Sequence, residues 1–397
     1  MVLAALAGLV SAALGHPLLA LLAAFAGRPR LLLAGVAVAA ALFGGMRVAA
    51  LQHRSLRSGR VNAVLVVTGA PSGDRAVVRV PAAGEDALLT APGYRPQLGG
   101  VYRASGTLRP VDPQVRDYYA SQGVHLQLRA SRLAWLGRRG GTWGVVDAAH
   151  AAALRRLSGG AAVSPQRALV AGVTLGETGS MPADVRRQFR DSGLYHLVAV
   201  SGQNVALVVI FSLACLAAVG VIGAPARVAA IALTTLYVLV TGAGPSIVRA
   251  GVAGGLVAVA WLASRPVVRW HLLACGAVVV LALNPLDLFN PGFQLSFAAV
   301  WAIFVVAPRL QPWLGSAVAV SVACTLVTTP IAWWHFGRLA PLSVPANLLA
   351  LPAVAPLLIC GLAAILVGSV WPPLALPLLW LADLLAGYLL WVARLCS

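Results

Sequence analysis

His196, Ser201, Gln203 and Asn204 lie within nine residues of one another inside an apolar run that continues to Phe211. Lipid offers such groups no water, so at membrane depth they must face protein or an aqueous path. On a helix turning about 100° per residue, His196, Val200 and Gln203 share one face, whereas Ser201 points about 140° away from His196. Gly202 permits a close backbone approach or a helix break. Two chemistries fit this pattern: an interhelical knot of hydrogen bonds, and one wall of a polar path. A Ser201–His196 nucleophile pair is a third, disfavoured by the helical phase unless His271 or His335 supplies the base.

Three more segments carry polar groups into apolar surroundings. Thr241–Gly251 contains Gly242, Gly244 and Pro245, which break regular helix, and then Arg249 with no acid beside it in sequence. Broken helices at membrane depth occur inside protein or along a cavity. There Arg249 caps helix-end carbonyls, snorkels to the interface or attracts a phosphate. Asn284–Ser296 has the Asn-Pro and Pro-Gly steps of a turn, followed by Gln294 entering a new apolar run. Pro341–Pro352 places Asn347 at the start of a run that Pro352 kinks.

The elements that position these groups follow from composition. Of 397 residues, 60% are hydrophobic, and the mean hydropathy is +0.87, more apolar surface than a water-soluble fold can hide. The net charge is +18, all 29 basic residues are Arg, and 19 of these with nine of the 11 acids fall between Arg54 and Asp191. A polar insert therefore separates membrane segments. Such a positive balance suits nucleic acid, anionic lipid or the bias of cytoplasmic loops. The five cysteines form no CxxC pair, so neither a metal site nor a disulfide framework is expected, and no cofactor. An apolar start with no charge before Arg28 argues against a cleavable signal peptide.

The expected fold is a polytopic α-helical membrane protein of about ten spans, some of them re-entrant, with a small all-β extracytoplasmic domain inserted after the second span. Residues 1–51 form the first pair of spans. Residues 52–140 hold β-like runs at Val61–Thr68, Ala76–Val80, Ala87–Thr90, Val101–Leu108 and Val124–Leu136, the pattern of a small barrel or sandwich such as an OB-fold. Residues 141–192 are a connecting segment with an amphipathic helix over Asp147–Leu157. Residues 193–397 are a helical bundle. With the insert outside, Arg227, Arg265, Arg269 and Arg309 fall in cytoplasmic loops, which fits the positive-inside rule, whereas Arg47, Arg54, Arg57 and Arg60 argue the other way.

Together the segments Ser192–Gly202, Gly244–Ala250, Asn290–Phe297 and Ala340–Pro352, in this order and spacing, resemble the ComEC family of bacterial DNA-uptake channels. The resemblance extends from about Pro165 to the end, and the insert with Arg116–Val124 is similar to that family's OB-type domain. It implies passage of single-stranded DNA across the bacterial cytoplasmic membrane, not an enzymatic activity. His196, Ser201, Gln203, Asn204, Arg249, Gln294 and Asn347 would line or shape the path. Tyr94, Tyr102, Tyr118 and Tyr119 are available for base stacking. Many members have His at the position of Asn204. Many also carry a metallo-β-lactamase-like domain, and no HxHxDH motif is present here. With no P-loop either, partners besides DNA and lipid would be a DNA receptor and a separate ATP-driven helicase or translocase, or further copies of the chain. A transporter of small anionic or lipidic molecules remains the alternative.

Overall fold

The computed structural model describes residues 5–6, 9–10, 39–46, 48–49 and 58–397, apart from 70, 72, 113–115, 159–163, 199–201, 243–247 and 256–268. The two expected opening spans and most of the expected span over 247–263 therefore lie outside the described residues.

All five expected strand regions form strands: β1 (Gly59–Val67), β2 (Arg75–Val80), β3 (Glu85–Thr90), β4 (Gly100–Pro110) and β5 (Leu126–Arg138). They close into a barrel in the order β1-β2-β3-β5-β4, with β3 and β5 parallel and the other pairs antiparallel. Period-2 alternation sends Leu65, Val67, Val78, Leu89, Ala104 and Leu128 inward to fill it. At the bulge between Ser105 and Gly106 the strands approach so closely that a Cβ on Gly106 would collide with the Arg129 carbonyl. Tyr102 is not available for stacking: its ring belongs to the barrel core, and its hydroxyl accepts the Gln97 N–H at 3.0 Å. Tyr94 and Tyr118 are exposed. Tyr119 packs with Leu88, Val111 and Val124 on the outside of the sheet, where the short helix α1 (Arg116–Ala120) covers β3.

The barrel is clamped to helix α2 (Gly141–Ser158). Arg139 donates to both oxygens of the buried Asp147, the second bond measuring 2.8 Å. Asp147 occupies the space above Gly99, which has φ 71° and no room for a side chain. The expected amphipathic helix is thus present but starts earlier, and it buries Asp147, His150, Ala153 and Leu157.

Helix α3 (Pro165–Leu175) follows. Ser164 caps it by accepting the Arg167 N–H, Pro165 starts it, and Gly176 ends it in the left-handed conformation. Every residue from Ala168 to Leu175 is buried. What the sequence places in a connecting segment therefore includes a helix at the centre of the bundle, packed against α12 (Ser343–Val370) and α13 (Pro372–Leu395). Between them come α4 (Ala183–Asp191), α5 (Tyr195–Val198), α6 (Gly202–Ala218), α7 (Gly223–Val240), a helical stretch over 248–255, α8 (Arg269–Leu283), α9 (Pro291–Val305), α10 (Ala307–Leu314) and α11 (Ser316–Phe336).

Among the described residues four helices are long and apolar enough to cross a membrane: α7, α11, α12 and α13. The pair α9–α10, bent by 56°, would make a fifth, and α6 and α8 are shorter apolar helices. Of the about ten spans expected, the described residues show four or five. Polar breaks shorten the rest: Gly202 heads α6, and a 3-10 turn over Pro285–Phe289 separates α8 from α9.

Candidate membrane pathway

The four polar segments, spread over some 150 residues of sequence, meet in space. The turn before α5 rests on the start of α12: Gly193 has φ 76°, and a Cβ there would lie 2.7 Å from the Ser343 Cβ. Ser343 is in turn 3.5 Å from the Thr325 hydroxyl on α11. At the far end of α11, His335 Nε2 is 2.8 Å from Gln294 Oε1 on α9. The start of α9 abuts the 248–255 helix, where Arg249 Nη2 is 3.0 Å from the place a Cβ would occupy on Gly292. That helix returns to α6 through Ala250, whose Cβ would lie 4.0 Å from one on Gly202. The contacts join the four segments in series from Gly193 round to Gly202. Arg338 and Asp191, paired at 3.3 Å, add an exposed link between the approach to the first segment and the approach to the fourth.

Within the ring the expected residues differ in setting. His196 is exposed, and its Nδ1 is held 2.9 Å from the Gly193 carbonyl. Gln203 is exposed in the first turn of α6. Gln294 is half-buried and also donates to the Leu288 carbonyl at 2.9 Å, while Asn347 is half-buried in the first turns of α12. Ser201 lies outside the described residues.

Asn204 is placed differently. It is 1% exposed, and its Nδ2 donates to the Val173 carbonyl at 3.0 Å. The last carbonyls of α3 have no intrahelical partner and end deep inside the protein. Gly176 and Glu177 N–H groups cover Gly172 and Ala171, Asn204 covers Val173, and the Tyr237 hydroxyl covers Thr174 at 3.0 Å. Asn204 therefore holds a helix end with its amide, a task that needs hydrogen-bond donation and no ionisable group.

Arg249 is the least satisfied group. It is 8% exposed, and its Nε and Nη1 have no hydrogen-bond partner. It feels the charge of Asp287 in the 3-10 turn and lies near Tyr118 of α1. Burial pushes the Asp287 carboxyl up to about 6 against the pull of Arg249. Asp287 accepts from Asn284 Nδ2 at 3.2 Å, which also donates to the Ser121 carbonyl at 2.6 Å, and Asn290 Nδ2 reaches Ser121 Oγ at 3.4 Å. The barrel's α1 thus docks on the turn beside Arg249. Sequence reasoning missed Asp287, Ser121 and Tyr237 as members of this site. Only Asp287 carried a signal, as one of two acids in the second half of the chain.

Comparison with known proteins decides the kinship. The profile of the family described as Competence protein matches residues 173–397, more than half of the chain, and takes in all four ring segments. The chain belongs to the Competence protein family. ComE operon protein 3 of Bacillus subtilis (strain 168) is 30% identical over 192 residues, 46% of this chain and 24% of that relative. The uncharacterized protein YcaI of Escherichia coli (strain K12) is 28% identical over 247 residues, 57% of this chain and 33% of that one. The chain thus spans well under half the length of the relatives it matches. No solved structure matches. The ComEC-family resemblance is borne out, and the apolar helices fit a membrane protein.

Proposed function

We propose that this competence protein is a channel, not an enzyme, that passes single-stranded DNA across the bacterial cytoplasmic membrane. The observation that carries this reading is the ring of four polar segments, set where the membrane helices meet the barrel. A strand of DNA is a flexible polyanion. Its passage calls for a few weak polar and cationic sites in series, since tight ones would stall it. His196, Gln203, Arg249, Gln294 and Asn347 supply that mixture around the ring, joined by Ser201 from the sequence.

The barrel is suited to guide the strand. Its order of strands and parallel β3–β5 pair support the OB-type assignment. On the outer face of β1, β4 and β5, Arg60 and Arg129 flank Thr107, and Arg132 faces Ser105, with Arg103 and Arg109 on the same face of β4. All five arginines are exposed. Orientation follows the same logic. Arg227, Arg269 and Arg309 lie at the ends of α7, α8 and α9–α10 remote from the ends that meet α1 and α2. By the positive-inside rule this arrangement supports a barrel on the extracytoplasmic side. Capture by a DNA receptor and pulling by a separate ATP-driven translocase complete the scheme.

The test is a clean deletion in the host, scored by uptake of labelled DNA into the cytoplasm. The deletion should abolish uptake and the intact gene should restore it. Gly193→Val, which wedges the ring at Ser343, should fail to restore it at normal membrane levels. Undiminished uptake by the deletion strain overturns the reading.

A further inference from the structure

The junction between the barrel and the bundle holds an excess of buried donors. Arg249 Nε and Nη1 lack partners, and so does the buried Nε2 of Gln122, the residue after Ser121. Arg249 also stands over Gly292 in the first turn of α9, a helix of 15 residues. Asn290 Oδ1 already caps the Gly292 N–H at 2.8 Å, and the residual positive charge of the helix N-terminus still repels a guanidinium and attracts an anion placed between the two. Asp287 is near enough to feel Arg249, yet its recorded hydrogen bond is with Asn284. Every unmet group at this junction is a donor, and what is missing is an acceptor with several oxygens.

We propose that Arg249, the N-terminus of α9 and Gln122 form a binding site for a phosphate group. The Tyr118–Gln122 segment, held by Asn284 and Asn290 on Ser121, forms one wall of the site. The chemistry is that of a phosphodiester, which two sources supply: the backbone of a DNA strand leaving the barrel, an assignment that rests on the transport reading, and the headgroup of an anionic phospholipid. Asp287 opposes the ligand. Its carboxylate is the anion that an incoming phosphate must outcompete.

The experiment uses the full chain in nanodiscs. In phosphatidylcholine discs, a fluorescein-labelled oligo-dT is titrated across a salt series. In discs containing phosphatidylglycerol, retained lipid is counted by native mass spectrometry. Arg249→Ala should weaken one of the two ligands by about tenfold, the scale of a lost charge-assisted hydrogen bond. If DNA is the source, the slope of log affinity against log salt should also fall by about 0.7. Asp287→Asn should act in the opposite direction and tighten the same ligand, which loss of folding cannot mimic. Loss of phosphatidylglycerol alone keeps the phosphate site and removes it from the DNA route. Absence of oligo-dT binding by the unsubstituted chain counts against the transport reading, and the lipid arm still decides the site. Unchanged binding of both ligands in Arg249→Ala, or weaker binding in Asp287→Asn, overturns the proposal.

Discussion

Two arginine–aspartate encounters inside the bundle differ in a way that separates scaffold from site. Arg167 at the start of α3 donates to Asp383 on α13 through Nε at 2.8 Å, its Nη2 is 2.6 Å from the same oxygen, and Nη1 donates to the Leu157 carbonyl. That encounter uses all three guanidinium nitrogens and ties α2, α3 and α13 together, although Asp383 Oδ1 has no partner. Arg249 and Asp287 sense each other's charge, but two of the guanidinium nitrogens remain unbonded. A protein can keep a buried cation in the second state only at a cost in stability, since desolvation is not repaid. The first pair holds the fold, and the second is held by it.

Replacing each arginine by methionine should break this comparison most sharply. Arg167→Met leaves Asp383 without its partner and should lower stability by about 2 kcal/mol, read as a fall in the thermal midpoint in detergent. Arg249→Met removes an unsatisfied cation, so the midpoint should hold or rise while DNA uptake drops by at least about tenfold. A fall of both midpoints together would make the two encounters alike. Asn204→Leu strips the cap from the Val173 carbonyl and should cost about 1–3 kcal/mol, with uptake falling only in proportion to folded protein.

A pH effect sharpens the second pair. The Asp287 carboxyl is raised from its ordinary 3.8 to about 6, so the folded state binds its proton more tightly than the unfolded state. Stability from this group is therefore full below about 3.8 and is lost as pH rises through about 6. The thermal midpoint should decline over that window in the intact chain, and the decline should be missing in Asp287→Asn. The smallest effect belongs to the barrel. Arg103→Gln and Arg132→Gln should each reduce the salt slope of single-strand binding by about 0.7 without moving the midpoint.

The barrel was the more legible half. Its alternation, its turn residues and its lack of long apolar runs are local signals, and each expected strand is present within a few residues. The ring was half legible. Polar residues in apolar runs marked the four segments, yet their mutual contacts depend on packing between residues far apart in the chain, which periodicity does not encode. Asn204 shows the limit: its helical position is evident, but its partner is a carbonyl 31 residues away. Likewise α3 is short and bears a charge at each side, so hydropathy alone describes a linker rather than a core helix. Asp287 was hidden by its surroundings, since a turn rich in Asn and Pro looks complete without a partner.

The clamp between the barrel and α2 has a mechanical consequence. With Arg139 gripping Asp147 and Asp147 filling the space above Gly99, the barrel has no swivel at that joint. His150 on the same helix is fastened to the Val240 carbonyl at the end of α7 by a 2.7 Å contact. On the proposed transport reading, tension on a strand held by the barrel is not absorbed as rotation of a loose domain. It reaches the membrane helices through α2 as through a lever arm. On the other side of the barrel the joint is made by neutral hydrogen bonds from Asn284 and Asn290 to Ser121, rather than by an ion pair like that of Arg139 and Asp147.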